Sequence, residues 1–135
     1  MTNTFSISLD SDLQEMGRVT EFVHRISAHI GCDEEQEHHI MLALTEAVTN
    51  AVVHGNKYDR SKEVVIHAEY GGDILVLTVQ DEGDGFDPDS IPDPRKSENL
   101  LKPGGRGVWL IREYADEVNF HDKGRCVEMR FHVKS

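Results

Sequence analysis

Apolar residues recur along the first half of the chain at two periods. Leu13, Met16, Val19, Val23, Ile26 and Ile30 follow one another in steps of three and four, and so do Ile40, Leu44, Ala47, Val48 and Ala51. At about 100° per residue, each set forms one stripe of an amphipathic helix. "FSISL", "EVVIHAEY" and "DILVLTVQD" instead alternate with a period of two and predict strands. Ser11 to Gln14 has the S-x-x-Q form of a capping box and predicts the start of the first helix, which Gly31 ends. Asp33, followed by Glu34 and Glu35, caps a second helix, expected to run to Gly55 as a left-handed terminator. Gly71 and Gly72 predict a two-residue hairpin turn. "VWLIREYADEV" predicts a third helix, and "VNFHD" with "CVEMRFHV" a closing hairpin. The fold class expected from this order is α+β: a two-layer α/β sandwich with a mostly antiparallel sheet and helices on one face, residues 1–135 forming a single domain.

All four prolines fall between Phe86 and Gly105, which predicts a long irregular loop with a glycine cluster at each end. A chain of 135 residues has a core large enough to fold without a staple. Cys32 and Cys126 have no paired spacing, so neither a disulfide framework nor a zinc site is expected, and a cytoplasmic location is. "MTNTFSISLD" lacks the flank and apolar centre of a signal peptide, and no apolar run has membrane-spanning length. The formal charge of −11, from 25 acidic and 14 basic residues, argues against a nucleic-acid surface. An anionic ligand would need local help from a metal, glycine amides or a few placed cations.

Three stretches carry candidate chemistry. On the second helix, Glu46, Asn50 and His54 share the arc opposite the apolar stripe, in "LTEAVTNAVVHGN". Alone they fit a solvated face as well as a ligand. "DEGDGF" follows a strand, and Gly83 and Gly85 after Asp81 let the backbone bend and a flat group approach. Alone it is a good turn. "KPGGRG" leads into a helix, where free amides and the positive end of the dipole favour phosphate, with Lys102 and Arg106 as flanking cations. Alone it is a hinge. The conjunction, in this order, describes a nucleotide site. The P-loop pattern and the dinucleotide fingerprint are both missing. "CDEEQEHH" is better read as a solvated acidic face than as a metal site, because His38 and His39 are adjacent.

These residues resemble the GHKL or Bergerat-fold ATPases, the group shared by gyrase, mismatch-repair proteins, a heat-shock chaperone and histidine kinases. "EAVTNAVVHG" is similar to the N box, "DEGDGF" to the first glycine box and "GGRGVWLI" to the second. Within the group, "LTEAVTNAVVHGN" and the short length are most similar to the bacterial anti-sigma-factor serine kinases. The resemblance implies that ATP is bound with Mg2+ held by Asn50, and that Asp81 accepts a hydrogen bond from the adenine amino group. It places Gly83 and Gly85 against the base. It gives Gly105 and Gly107, with Lys102 and Arg106, to the phosphates, and makes Glu46 the general base toward a serine hydroxyl.

The same resemblance implies an anti-sigma factor that phosphorylates an anti-anti-sigma (STAS-domain) protein, regulates transcription by partner switching and forms a homodimer. It implies no direct nucleic-acid or membrane contact. Arg18 in "GRVTEFV" is expected to meet the sigma factor and the anti-anti-sigma protein. A histidine kinase is disfavoured, since the length leaves no room for a phosphoacceptor dimerisation domain. The alternative is a non-catalytic, ATP-dependent partner-binding module. In one respect the chain departs from the pattern. The family often has a threonine after a glycine in the last hairpin, helping to bind adenine through water, where this chain has "GRCVEM", with Arg125 or Cys126.

Overall fold

Residues 3–83 and 111–133 are described by the computed structural model. Five strands, β1 (Asn3–Asp10), β2 (Glu63–Gly71), β3 (Ile74–Gln80), β4 (Glu117–His121) and β5 (Cys126–His132), form one sheet in the order β1-β2-β3-β5-β4. Every neighbouring pair is antiparallel. Two helices, α1 (Met16–Ile30) and α2 (Glu34–Asn50), pack on one face, giving the α+β two-layer arrangement expected from the residue pattern. No described helix is long and apolar enough to cross a membrane.

Alternation decides which face is covered. Val64, Ile66 and Ala68 of β2, Leu75, Leu77 and Val79 of β3, and Val127, Met129 and Phe131 of β5 are buried and meet in register, as in Ile66 opposite Val79 and Leu77 opposite Met129. The helices answer with Val19, Phe22, Val23, Ile26 and Ile30 from α1 and Ile40, Ala43, Leu44, Ala47 and Val48 from α2. Each fully buried aliphatic or aromatic side chain contributes about 1.5–3 kcal/mol. The stripe read for α2 is buried at every position, and its opposite arc, Glu46, Asn50 and His54, is partly or fully exposed.

Four local expectations are corrected. Ser11 does not cap a helix: the cap is Asp12, whose carboxylate accepts from the Gln14 amide at 2.9 Å, opening a short 3-10 turn (Leu13–Glu15) ahead of α1. The Ser11 hydroxyl is buried and donates instead to the Lys62 carbonyl at 2.7 Å. The β2–β3 turn is Gly72–Asp73 rather than Gly71–Gly72, with φ of 59° and 63° at its two residues, the left-handed pair that suits the twist of a tight hairpin. The third helix stops early. Residues 111–114 are helical, but Glu117 and Val118 belong to β4, because pairing with Arg130 and Met129 outweighs local helix preference. Gly55 is not a left-handed terminator either, and its role belongs to the site.

Gly31 and Asp33 act as expected. Gly31 closes α1 at φ 73°, and Asp33 accepts from the Gln36 amide at 2.8 Å to start α2.

Candidate nucleotide site

The polar arc of α2 leads straight into an irregular turn. After Asn50 the helix widens into one π-helical turn, Ala51–Gly55, and the Asn56 amide donates back to the Ala51 carbonyl at 2.7 Å. Such widenings concentrate at functional sites because they redirect the residues around them. Glu46 and Asn50 lie one turn apart on the same side of α2, about 5–6 Å between β-carbons. Neither side chain has a hydrogen-bond or ion-pair partner among the described residues, and the Asn50 Nδ2 is buried without one. An amide left unpaired in this way contributes nothing to holding the fold, and a buried polar atom without a partner is costly unless a ligand completes it.

The end of this helix is fastened to the segment carrying Asp81. A β-carbon on Gly55 would lie 2.5 Å from Asp81 Oδ2, so the carboxylate packs directly on the glycine backbone. On Gly83 a β-carbon would lie 2.0 Å from the Gly55 carbonyl oxygen. These two glycines are needed for close approach, not for turning. Between them the Asp81 carboxylate accepts the Gly83 amide at 2.8 Å, and the Asp81 amide donates to the Arg125 carbonyl at 2.9 Å. Burial pushes the Asp81 carboxyl above the usual carboxylate range; the Gly83 amide and then the Arg125 charge pull it back, and Asp122 adds to the rise.

Asn56 completes the joint. It is buried; its Nδ2 donates to Ser11 Oγ at 2.8 Å and to the Glu63 carbonyl at 3.1 Å, while its Oδ1 accepts the Glu82 amide at 2.8 Å. One side chain thus ties the end of the helix to Ser11 just past β1, to β2 and to the Asp81 turn. Asn56→Leu removes all three bonds and leaves the Glu82 amide unpaired in a half-buried site, so a loss of about 2–4 kcal/mol in unfolding free energy is expected. Urea denaturation should show the midpoint falling with the slope unchanged; a midpoint equal to wild type would mean that the network carries no net stability.

The structure therefore brings together Gly55, Asp81 and Gly83 and sets Glu46 and Asn50 on the helix that feeds them. Gly85, Lys102, Gly105, Arg106 and Gly107 lie outside the described residues. Arg18 is elsewhere, on the first turn of α1, with its guanidinium donating to Glu15 at 2.8 Å and to the Ser8 carbonyl at 3.1 Å. Sequence reasoning did not single out Asn56. The signal was an amide residue directly after the helix-ending glycine, a place where a solvated residue and a buried clamp look alike.

With this geometry in place, the comparisons are specific. Residues 9–131 match the family model described as a histidine kinase-like ATPase domain. The chain belongs to that family. Among relatives of this ATPase-domain chain, the serine-protein kinase RsbW of Bacillus subtilis is 33% identical over 99 residues, covering 69% of this chain and 62% of the kinase. RsbW of Staphylococcus aureus strain MSSA476 is 34% identical over 101 residues, covering 69% of this chain and 64% of the kinase. The anti-sigma F factor of Clostridium perfringens strain 13 is 33% identical over 98 residues, covering 67% of this chain and 69% of that protein. The matched part is thus under two thirds of the two kinases' own length. A crystal structure of the RsbU and RsbW domains of a Mycobacterium tuberculosis protein shares the fold, with a TM-score of 0.70 and 18% identity, covering 97% of this chain and 32% of that one.

Proposed function

We propose that this chain, as one ATPase domain, is an anti-sigma factor with ATP-dependent serine kinase activity toward an anti-anti-sigma protein. It would act in the cytoplasm, as a homodimer that switches between that protein and a sigma factor. The observation that carries this reading is the polar face of α2, with Glu46 and the orphaned Asn50 amide uncommitted to the fold yet rigidly joined through Gly55 to Asp81. The names of the relatives, serine-protein kinase and anti-sigma F factor, support the same assignment.

In this reading each residue does one task. Asp81 accepts the adenine amino group, and Gly83 lets the base lie close to the backbone. Asn50 would hold Mg2+ through its Oδ1, the hard, neutral oxygen that ion takes when phosphates and water complete its shell, and its unpaired Nδ2, a donor, would be completed by a phosphate oxygen. When bound, Mg2+ supplies charge neutralisation at the phosphates. Lys102, Gly105, Arg106 and Gly107 serve the phosphates and Gly85 the base, as the sequence boxes imply. Glu46 takes the proton of the incoming serine hydroxyl. The serine oxygen then bonds to the γ-phosphorus as the bond to the β,γ-bridging oxygen breaks, and ADP leaves with that electron pair. Such transfer depends mainly on positioning and charge neutralisation, which a one-turn spacing on a packed helix provides.

The experiment is direct. Incubation with Mg2+, ATP and a STAS-domain partner should add one phosphoryl group to a partner serine, seen by intact mass and mapped by peptide fragmentation. No added mass on any of several such partners would remove the kinase activity. Arg18 supplies the test of docking. Its exposed guanidinium is held at the edge of the helix by Glu15, so reversing its charge sets two carboxylates side by side on the face proposed to meet both partners. Arg18→Glu should weaken capture of both partners at least tenfold, the scale of one lost interfacial charge pair, with ATP affinity unchanged. Equal capture would take Arg18 out of the interface.

A further inference from the structure

The final hairpin departs from its family pattern beside the Asp81 turn. Asp122, Lys123 and Gly124 have φ of 51°, 55° and 83°, so the β4–β5 connection runs through three successive left-handed residues, two of them carrying side chains that disfavour that region. The outcome of this unusual turn is the placement of Arg125. Cys126 opposite Gln80 is the last register pair of β5 and β3, and Arg125 follows beside Asp81 where β3 ends. Its carbonyl accepts the Asp81 amide at 2.9 Å, its Nε donates to the Gly83 carbonyl at 2.6 Å, and its Nη1 reaches Asp122 at 3.4 Å. Asn56 holds the Glu82 amide on the same turn. All three residues, Asp81, Glu82 and Gly83, are therefore pinned, and two of the pins come from Arg125.

We propose that Arg125 is a positioning and specificity-determining residue for the nucleotide base, clamping the Asp81–Gly83 turn through Gly83 and placing a cation beside the Asp81 carboxylate. The proposal rests on the reading of Asp81 as the acceptor for the adenine amino group. That carboxylate selects adenine because it attracts an exocyclic amino group and repels the carbonyl oxygen that guanine has at the same place. Selection requires a fixed turn and an ionised carboxylate. Burial works against ionisation, and the charges facing Asp81 are mixed: Arg125 just ahead of β5 and Lys62 just ahead of β2 favour the anion, and Asp122 opposes it. The neighbouring Cys126 thiol is itself pushed up by burial and then by Glu128, Asp122 and Asp81, so it stays neutral there. Arg125 is the charged group that also bonds to the turn.

Two substitutions separate the two parts of the role. Arg125→Gln keeps a donor and removes the charge; Arg125→Lys keeps the charge and loses the planar fork. ATP and GTP affinities should be measured by calorimetry across a pH series for wild type, both Arg125 variants and Asp81→Asn. Since the ionised carboxylate is the binding form and its pKa is raised, wild-type ATP affinity is full at higher pH and falls as pH drops through the folded pKa. In Arg125→Gln that fall should begin at higher pH, the ATP-to-GTP ratio should shrink, and ATP affinity should drop about tenfold, the scale of one lost charge-assisted bond. Arg125→Lys should lose ATP affinity and selectivity through the loosened turn while its pH limb stays at the wild-type position. A structural residue without this role would weaken ATP and GTP by the same factor and leave the pH limb in place, and that result in both variants would overturn the proposal. The underlying reading fails separately: if Asp81→Asn keeps wild-type ATP affinity and selectivity, Asp81 is not the base acceptor, whatever Arg125 does.

Discussion

Replacing Glu46 by Gln is expected to leave ATP bound and to slow transfer to the partner serine by about 10²- to 10⁴-fold, the usual worth of a general base. The substitution preserves length and the ability to hydrogen-bond, and it removes only the capacity to take a proton. Glu46 is suited to such a test because it has no ion-pair or hydrogen-bond partner among the described residues, so no network within them collapses with it. Its helix is held from the other side by Ala43, Leu44, Ala47 and Val48, which the substitution does not touch. Single-turnover transfer should be followed with nucleotide affinity measured on the same preparation. Wild-type transfer by the Gln variant would mean that another group accepts the proton. Loss of ATP binding together with transfer would assign Glu46 to nucleotide binding.

Gly83→Ala should be strongly damaging, since its added β-carbon makes a closer approach than one at Gly17, Gly31, Gly55 or Gly72. The new β-carbon would meet the Gly55 carbonyl oxygen at 2.0 Å and its carbonyl carbon at 2.5 Å, both backbone atoms of a packed turn that cannot rotate away. Either the Asp81–Gly83 turn lifts off the end of α2, or the π-helical turn unwinds. Overpacking typically costs about 1–3 kcal/mol, and a backbone collision of this depth belongs at or above the top of that range. Loss of measurable ATP binding is expected with it, because Asp81 moves with the turn. Gly17→Ala is the matched control: nothing lies within 4 Å of its added β-carbon, and in a helix the change stabilises by up to ~1 kcal/mol. Thermal unfolding and ATP titration of both variants decide the matter, and a Gly83→Ala protein with wild-type melting and ATP affinity would show that the two backbones do not need their close contact.

Much of the fold was legible because it rests on periodicity. The stripes of α1 and α2 and the alternation of β2, β3 and β5 are statements about which side chains leave water, and burial follows them closely, with Leu13 the exposed exception ahead of α1. Errors gathered where a distant partner overrides a local preference. Ser11 resembles a cap in sequence, but Lys62 and Asn56 take its hydroxyl. Glu117 and Val118 continue a helical pattern, yet β5 recruits them into the sheet. Gly55 is expected from sequence to end the helix by turning left-handed, yet it is required by the packing of Asp81, since a sequence shows that a β-carbon is missing and not whether rotation or proximity excludes it. For the site, Asp81 and Gly83 do meet the end of the α2 box, as the order of boxes suggested. Asn56 and Arg125 were not assigned a role, because a clamp is defined by what it holds and both hold groups far away in sequence.

The strand order also sets a sequence of events. β2 and β3 are separated by a two-residue turn, whereas β1 reaches β2 only after α1 and α2, and the partner of β3 on its other side, β5, begins at Cys126 opposite Gln80. Closing either long connection costs roughly 3 kcal/mol more in chain entropy than closing the tight turn, and only the finished sheet repays it. Both the β1–β2 and the β3–β5 pairings are therefore expected to form after the β2–β3 hairpin, with destabilising substitutions at Met129 or Phe131 accelerating unfolding more than they slow refolding. Arg125 arrives with the pairing of β5 to β3, so the pocket around Asp81 has no complete form before that step. A nucleotide that needs the whole pocket binds the native chain alone, and saturation at a hundredfold excess over Kd would then deepen the native well by the full ~2.7 kcal/mol that mass action allows.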